Sequence, residues 1–229
     1  MGDFLSDKCV YDFLKSASFK DINMKTRGTN NKLIPSREKE ELVQYAISLG
    51  ATDARMISAK DISIENHLAA ICKESACENY GLAMSCPPHV SGPSGFRNLL
   101  TQFEHALVFK MDVLSEHLFS HQRLDIFRLL HEIASGVQRK AVLMGFSNAK
   151  GFAGGSCKMI FCLDQKDCNV VAHGGPCRNP LQARPSMSGF GVNVSKLMET
   201  AGWVMNRASS GGGSDNEAMA PVSGLVLIS

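Results

Sequence analysis

Four cysteines crowded into a glycine- and proline-rich stretch constrain this chain more than any other feature of its sequence. They fall within twenty-one residues at the spacing C-x4-C-x5-C-x8-C: Cys157, Cys162, Cys168 and Cys177. Glycine lets a backbone approach a bound group closely, and proline turns the chain away from it. Such a stretch is a set of metal ligands, a disulfide knot or a coincidence, and the choice decides the class of protein.

The compartment that the sequence predicts argues against disulfides. Charged residues interrupt the first twenty positions, so no secretory signal peptide is predicted. No run of about eighteen apolar residues occurs, so no membrane span is predicted either. We therefore expect a cytoplasmic protein, in which thiols stay reduced and clustered cysteines more often bind metal than pair.

The charge and the length of the chain bear on its class of function and on its domain organisation. The chain has 24 Lys and Arg against 22 Asp and Glu and no long basic run, so nucleic-acid binding is not predicted. With 229 residues it is long enough to bury a core of its own. We predict a weakly patterned N-terminal extension over residues 1–35 and a single metal-binding domain over residues 36–229, and the oligomeric state stays open.

Hydrophobic periodicity predicts a mixture of helices and strands. Strands are expected at residues 54–59, 105–111 and 222–228. Helices are expected from Pro35–Ser36 to Gly50, over 61–71, from about 117 to 144, and over 194–201, the last capped by Asn193 and ended by Gly202. The helix from about 117 to 144 has an apolar stripe formed by Ile126, Leu130, Ile133 and Val137. This order predicts an α+β or α/β layered domain with two Cys-rich metal-binding loops, 72–93 and 151–187, inserted at its rim.

The spacing of the four cysteines bears on the identity of the metal. Structural zinc sites usually bring ligands in pairs two to four residues apart, whereas the gaps here are four, five and eight residues. A [4Fe–4S] cluster needs four converging thiolates and a backbone that curls around them. The long gaps favour iron–sulfur over zinc, which stays the alternative. The spacing is not that of the compact bacterial ferredoxin motif either, so spacing alone does not decide the metal.

Two arginines beside the four thiols are candidate cofactor-binding residues. A cluster held by four thiolates is negatively charged, so nearby cations stabilise it. Arg184 follows the last cysteine within Ala183–Ser186 and is the better candidate, and Arg178 is the other. Three further polar side chains of this stretch are interpreted as solvent-exposed: Lys158, Lys166 and His173.

A second cysteine group lies upstream at the spacing C-x4-C-x8-C: Cys72, Cys77 and Cys86. Packing as small core side chains is one interpretation, but the consecutive prolines Pro87 and Pro88 argue against regular core structure here. The favoured interpretation is a second metal site, whose three protein ligands leave a fourth position for substrate, water or another side chain. His89 and Glu78 are local candidates for that position, whereas Cys9 is interpreted as an ordinary free thiol.

The motifs of these two stretches occur together in a known family. The matching segments are Cys77-Glu-Asn-Tyr-Gly81, Ser85-Cys-Pro-Pro-His89, Gly154-Gly-Ser-Cys157, Cys162, Cys168, Cys177-Arg-Asn-Pro180 and Ala183-Arg-Pro-Ser-Met187. Over roughly residues 40–205 the chain resembles a family of cysteine-rich, predicted metal-binding proteins of unknown function from anaerobic bacteria and archaea. The resemblance implies iron–sulfur chemistry in the cytoplasm and no particular reaction.

The sequence therefore predicts a redox protein. In the first hypothesis the four cysteines Cys157, Cys162, Cys168 and Cys177 bind a [4Fe–4S] cluster that exchanges single electrons with a redox partner protein. In the second, an iron–sulfur oxidoreductase, that cluster feeds a second cluster at the three upstream cysteines, whose open iron binds a small substrate. A structural zinc-binding adaptor is the third hypothesis. No phosphate-loop, dinucleotide or Ser-His-Asp signature adds another activity.

Overall fold

A four-stranded antiparallel sheet forms the centre of the fold. In the computed structural model, residues 34–75, 77–203 and 218–229 are described. The strands are β1 (Asp53–Ser58), β2 (His105–Leu114), β3 (Lys150–Phe152) and β4 (Met219–Ile228), and their order in the sheet is β1-β2-β4-β3. The two long strands β2 and β4 are paired along their whole length, from His105 opposite Ile228 to Leu114 opposite Met219.

Seven α-helices and three 3-10 helices surround this sheet in the described ranges. The α-helices are α1 (Ser36–Ser48), α2 (Asn66–Glu74), α3 (Gly92–Leu100), α4 (Gln122–Leu143), α5 (Cys157–Phe161), α6 (Asn169–His173) and α7 (Val194–Thr200). The 3-10 helices are Ala59–Asp61, Ser115–Phe119 and Met187–Phe190. The fold is therefore the mixed α+β type that the sequence predicts, and antiparallel pairing throughout the sheet distinguishes it from α/β.

Both faces of the sheet are covered, because alternate residues of β2 and β4 point into two separate cores. One face carries Leu107 and Phe109 of β2 against helices α1 and α4. The other face carries Ala106 and Val108 against α3, α7 and the 3-10 helix Met187–Phe190. None of the seven described cysteines belongs to either core, and Cys86, although buried, lies outside both.

Several predicted elements are confirmed by the structure. The three predicted strands form, and β2 and β4 each extend by three residues. Helix α4 buries Leu130, Ile133 and Val137 of its predicted apolar stripe. Asn193 caps α7 by accepting a hydrogen bond from Lys196 N, and Gly202 follows the helix with a positive φ of 79°.

Other predicted elements differ in position from the structure, and two observed elements were not predicted. The helix expected over 61–71 is a 3-10 turn followed by α2, and α1 begins without a side-chain cap from Ser36. The segment 117–121, expected to be helical, largely belongs to the 3-10 helix Ser115–Phe119. Strand β3 and helix α3 were not predicted. The expected extension, with Cys9, lies outside the described residues except for its last two positions.

Candidate metal centre

The four-cysteine segment, residues 151–187, contains more regular structure than a loop. Cys157 begins helix α5 and Cys162 directly follows it. Cys168 is the N-cap of helix α6, and Gly174 ends that helix with a left-handed φ of 63°. Cys177 lies in the turn that follows, so two short helices set the directions from which the thiols approach one another.

Backbone pairing closes this segment at its base. Ala153 and Ser186 form a parallel bridge, in which Ala153 N donates to Pro185 O and Met187 N donates to Ala153 O at 3.0 and 2.9 Å. Ser186 N also donates to Ser85 O at 3.0 Å, which joins the base to the upstream cysteine stretch. The two ends of the segment are thus fixed to the protein core.

The four thiols line one cleft, which we call the metal cleft. Its lining residues are Ala83, Cys157, Lys158, Phe161, Cys162, Cys168, Asn169, Cys177, Arg178, Asn179 and Ala183. None of the seven described cysteines is in a disulfide, so the disulfide interpretation has no support among them. Within residues 34–75, 77–203 and 218–229, however, no three His, Cys, Asp or Glu side chains stand close enough together to hold a metal ion. The four thiols therefore line one shared space, but no three of them are close enough to bind a single metal ion.

Two of these sulfurs already accept hydrogen bonds. Ser85 Oγ donates to Cys157 Sγ at 3.1 Å, and Asn179 Nδ2 donates to Cys162 Sγ at 3.1 Å. Burial raises the pKa of Cys157 to about 12, against the lowering effect of the Ser85 hydroxyl, and the nearby Cys177 and Cys86 raise it further. A metal that binds there displaces the proton, so its affinity rises with pH.

The basic residues of the segment are arranged differently from expectation. Lys158, expected to be solvated, is buried: its Nζ donates to Cys162 O at 2.7 Å and to Gln165 O at 2.6 Å. The expectation was wrong because α5 turns this side chain inward, towards carbonyls of the following turn. Lys166 and His173 are exposed, as predicted.

The two candidate arginines occupy different positions. Arg178 is exposed and lines the metal cleft, where its Nη1 donates to Asp167 O at 2.9 Å. Arg184 is only 5% exposed, and its guanidinium donates to Pro180 O and Ala183 O. Burial lowers the pKa of Arg184 to about 9, although its attraction to Cys177 opposes that change. Arg184 is therefore a buried cation behind the cleft rather than one of its lining residues.

His131 is a residue of this region that sequence reasoning missed. It lies on α4 and is fully buried. Its Nδ1 accepts a hydrogen bond from Arg184 N at 3.0 Å, so its Nε2 carries the proton and donates to Gly154 O, also at 3.0 Å. Burial lowers the pKa of His131 to about 4. This neutral imidazole connects both ends of the four-cysteine segment to α4. In the sequence, the position of His131 next to Leu130 of the predicted apolar stripe was the one indication that it would be buried.

The second cysteine group adjoins the first. Cys72 lies in the last turn of α2, Cys77 follows it, and Cys86 is buried in the next turn. Burial raises the pKa of Cys72, and the nearby Cys77 and Cys86 raise it further. Ser85 Oγ lies 3.7 Å from Cys86 Sγ and 3.1 Å from Cys157 Sγ, so one hydroxyl contacts a thiol of each group.

Both local candidates for a fourth ligand have partners elsewhere in the described chain. His89 Nε2 lies 3.1 Å from Gly81 O, and the exposed Glu78 lies 3.9 Å from Arg123. Both side chains therefore interact with other parts of the chain.

Neither cysteine-rich stretch has a core of its own. No residue from Phe161 to Ala183 is buried, although the stretch includes helix α6. Helix α2 likewise has no buried residue. Side-chain burial contributes little to the stability of these parts of the chain.

Comparison with known proteins identifies a family that the chain matches. A family model described as "Predicted metal-binding protein (DUF2284)" matches residues 55–228. No curated protein and no solved structure matches the chain. The matched range contains both cysteine groups and all four strands except the first two residues of β1. No helix in the described part of the chain is long and apolar enough to cross a membrane.

Proposed function

Because the chain belongs to the DUF2284 family of predicted metal-binding proteins, we propose that it is a cytoplasmic iron–sulfur redox protein. In this proposal Cys157, Cys162, Cys168 and Cys177 bind a [4Fe–4S] cluster that exchanges single electrons with a partner protein. The described residues support the cluster, the redox role and the partner, which go beyond what family membership establishes.

The observation that carries the proposal is a cleft lined by four thiols outside any disulfide, three of which lie in a stretch without buried residues. The 23 residues from Phe161 to Ala183 include none that is buried. So short a stretch gains too little from hydrophobic burial to hold one conformation, and natural proteins stabilise such stretches with disulfides or metals. Since none of the described thiols is in a disulfide, a metal is the remaining means.

The arrangement of the thiols favours a cluster over a single zinc ion. Tetrahedral zinc draws each sulfur to about 2.3 Å from one point. In the described chain no three potential ligands are grouped so closely, although all four cysteines line the same cleft. A four-iron cluster is a larger body that holds its thiolates farther apart. The four cysteines would therefore have to move less to bind a cluster than to bind a zinc ion.

The surrounding residues suit four thiolates that carry negative charge. The hydrogen bonds from Ser85 and Asn179 to two of the sulfurs spread that charge, as donors around metal-bound thiolates do. The buried cations Lys158 and Arg184 partly balance it. A cluster bound here would supply one-electron redox chemistry.

Exposed apolar side chains support the partner in this proposal. Leu82, Leu163 and Leu181 are 46%, 58% and 51% exposed, and each lies within two residues of a residue that lines the metal cleft. Apolar side chains at the mouth of a site favour contact with another protein. Electron exchange requires such contact, because the cluster must come close to the partner's redox centre.

Anaerobic purification with iron, sulfide and zinc analysis tests the proposal. We expect at least about four irons and four sulfides per chain and broad absorption near about 400 nm, as for thiolate-bound clusters. Cys168→Ser should remove about four irons, because it deletes one ligand of this cluster. Zinc without sulfide would contradict the proposal.

A neighbouring substitution controls for nonspecific damage. Ser156→Ala alters a buried residue next to Cys157 whose hydroxyl has no hydrogen-bond partner in the described chain. We expect it to retain wild-type iron content. Equal iron loss in Ser156→Ala and Cys168→Ser would mean that the ligand assignment is wrong.

A further inference from the structure

Building on the proposed function, we infer that Cys72, Cys77 and Cys86 bind a second iron–sulfur cluster beside the first, and that one iron of this cluster is open to a small anionic ligand. With this site the protein would hold two clusters, one of which could bind a ligand from solution. The inference rests on four observations about the described residues.

The first observation is that backbone hydrogen bonds fold the stretch that carries the three thiols back on itself. Gly81 N donates to Pro87 O at 2.8 Å, which brings the residue after Cys86 back to the turn that follows Cys77. Cys77 N donates to Cys72 O at 3.3 Å, which folds the turn after α2 back onto the helix end. Cys86 is buried and Cys77 is exposed, so a group bound by all three would lie at the surface with one side inside the protein.

The second observation is that α2 lacks a core of its own. None of its nine residues is buried, and no described residue from Ser75 to Leu82 is buried either. An isolated helix of this length is marginal in water. Ligation through Cys72 and Cys77 would fix the helix end and the following turn to the buried Cys86, in the way that structural metals stabilise small units.

The third observation concerns the fourth coordination position. His89 and Glu78 are the nearest candidate ligands in sequence, and they contact Gly81 O and Arg123 instead. The described chain thus offers three thiolates, which leave one iron of a four-iron cluster for a ligand from solution. An exposed iron with a free position binds small anions as a Lewis acid.

The fourth observation is the closeness of the two sites. The hydroxyl oxygen of Ser85 lies within 3.7 Å of both Cys86 Sγ and Cys157 Sγ. Ala83, on the same turn as Cys86, also lines the metal cleft. Clusters bound on the two sides of Ser85 would be close enough for their unpaired spins to interact when both are reduced.

Iron analysis and electron paramagnetic resonance of the anaerobic full-length protein test this site. Wild type should contain about eight irons and eight sulfides per chain, and its fully reduced spectrum should show spin–spin interaction between two centres. Cys77→Ser changes an exposed thiol, so the fold should survive; it should halve the iron content and leave one non-interacting signal. Glu78→Gln, one position away, should match wild type.

Cyanide is the probe for the open iron. It should shift the signal of the second centre in wild type and in Cys168→Ser, which retains only that centre. It should have no effect in Cys77→Ser. If cyanide leaves the wild-type signal unchanged, the second cluster has no iron open to a ligand from solution.

The outcomes separate this inference from the proposed function. About four irons in wild type, unaffected by Cys77→Ser and lost in Cys168→Ser, would overturn the second site and leave the first. Zinc without sulfide would overturn both. Loss of about half the iron in Cys9→Ser would identify a fourth protein ligand and overturn the open iron.

Discussion

Ser85 contacts a thiol of each cysteine group, and its hydroxyl donates a hydrogen bond to Cys157 Sγ at 3.1 Å. A hydrogen bond donated to a cluster ligand stabilises the more negative, reduced form. Such a bond is worth about 1 kcal/mol, which for one electron is about 40 mV. We therefore expect Ser85→Ala to lower the midpoint potential of the first cluster by about that amount in a redox titration followed by visible absorption.

Two variants control this measurement. Ser85→Thr keeps the hydroxyl and should restore most of the potential, whereas Ser156→Ala removes a hydroxyl that has no partner in the described chain and should leave it unchanged. Iron content should stay at the wild-type level in all three. An unaltered potential in Ser85→Ala would show that the hydroxyl does not act on the cluster.

His131 makes the stability of the metal-free protein depend on pH. Burial holds its pKa at about 4 in the folded state, against about 6.5 in the unfolded chain. As the pH falls from about 6.5 to about 4, the unfolded chain gains a proton that the folded protein does not, so the free energy of unfolding decreases by up to about 3 kcal/mol. Above neutral pH this contribution is constant.

Urea unfolding of the reduced, metal-free protein at pH 7 and pH 4.5 measures the effect. His131→Phe should be less stable than wild type at pH 7, because Gly154 O and Arg184 N lose their partner. It should also lose part of the acid destabilisation, whereas His121→Gln, at an exposed position, should keep all of it. An identical pH dependence in His131→Phe and wild type would refute this role.

At the scale of secondary-structure elements, β3 is the strand that directly precedes the residues of the metal cleft. It packs so closely against α4 that a Cβ added at Gly151 would lie 2.9 Å from the backbone oxygen of Ala134. Gly151 N also donates to Gln138 Oε1 at 3.0 Å. Because a helix backbone cannot yield as a side chain can, we expect Gly151→Ala to destabilise the protein by about 1–3 kcal/mol.

Thermal unfolding measures this change. For a domain of this size about 1 kcal/mol corresponds to about 2–4 °C in Tm. Ser147→Ala, in the exposed turn before β3, should leave Tm unchanged. If Gly151→Ala matches that control, β3 and α4 have room between them that the structure does not show.

Elements with a strong local pattern were predictable, and those defined by distant contacts were not. The apolar run of β2 and the stripe of α4 are visible in the sequence, since each has enough residues to show its period. The three residues of β3 are too few for a pattern, and β3 forms by pairing with Leu225–Leu227, far along the chain. The helix expected over 61–71 starts late because Ile64 pairs with Val192 instead.

The same distinction holds for the candidate site. The cysteines are visible as a spacing in the sequence. Their neighbours Ser85 and His131 come from other parts of the chain and are visible only once it is folded. The burial of Lys158 likewise depends on how α5 is oriented.

Across the described part of the molecule, buried residues are concentrated around the sheet and are missing from much of the cysteine stretches. The sheet has buried residues on both faces, whereas residues 161–183 and helix α2 have none. Removing the metal should therefore loosen the cysteine stretches and leave the sheet intact. Hydrogen exchange measured by mass spectrometry, before and after anaerobic chelation, should show faster exchange over 161–183 and unchanged exchange in β2 and β4.

Cys168→Ser serves as the control for chelation. It should show fast exchange over residues 161–183 without any chelator. Simultaneous loss of protection in the sheet and in this stretch would mean that the metal stabilises the whole fold.

The bridge between Ala153 and Ser186 also has a kinetic consequence. Joining the ends of a long loop costs conformational entropy that grows with its length, and here backbone pairing at the base meets that cost before any metal arrives. A metal bound as proposed would then order only the tip of a segment that is already closed. Loading and release should consequently proceed at the speed of local loop motion, without a global unfolding step, so that the metal is exchangeable during the lifetime of one folded molecule.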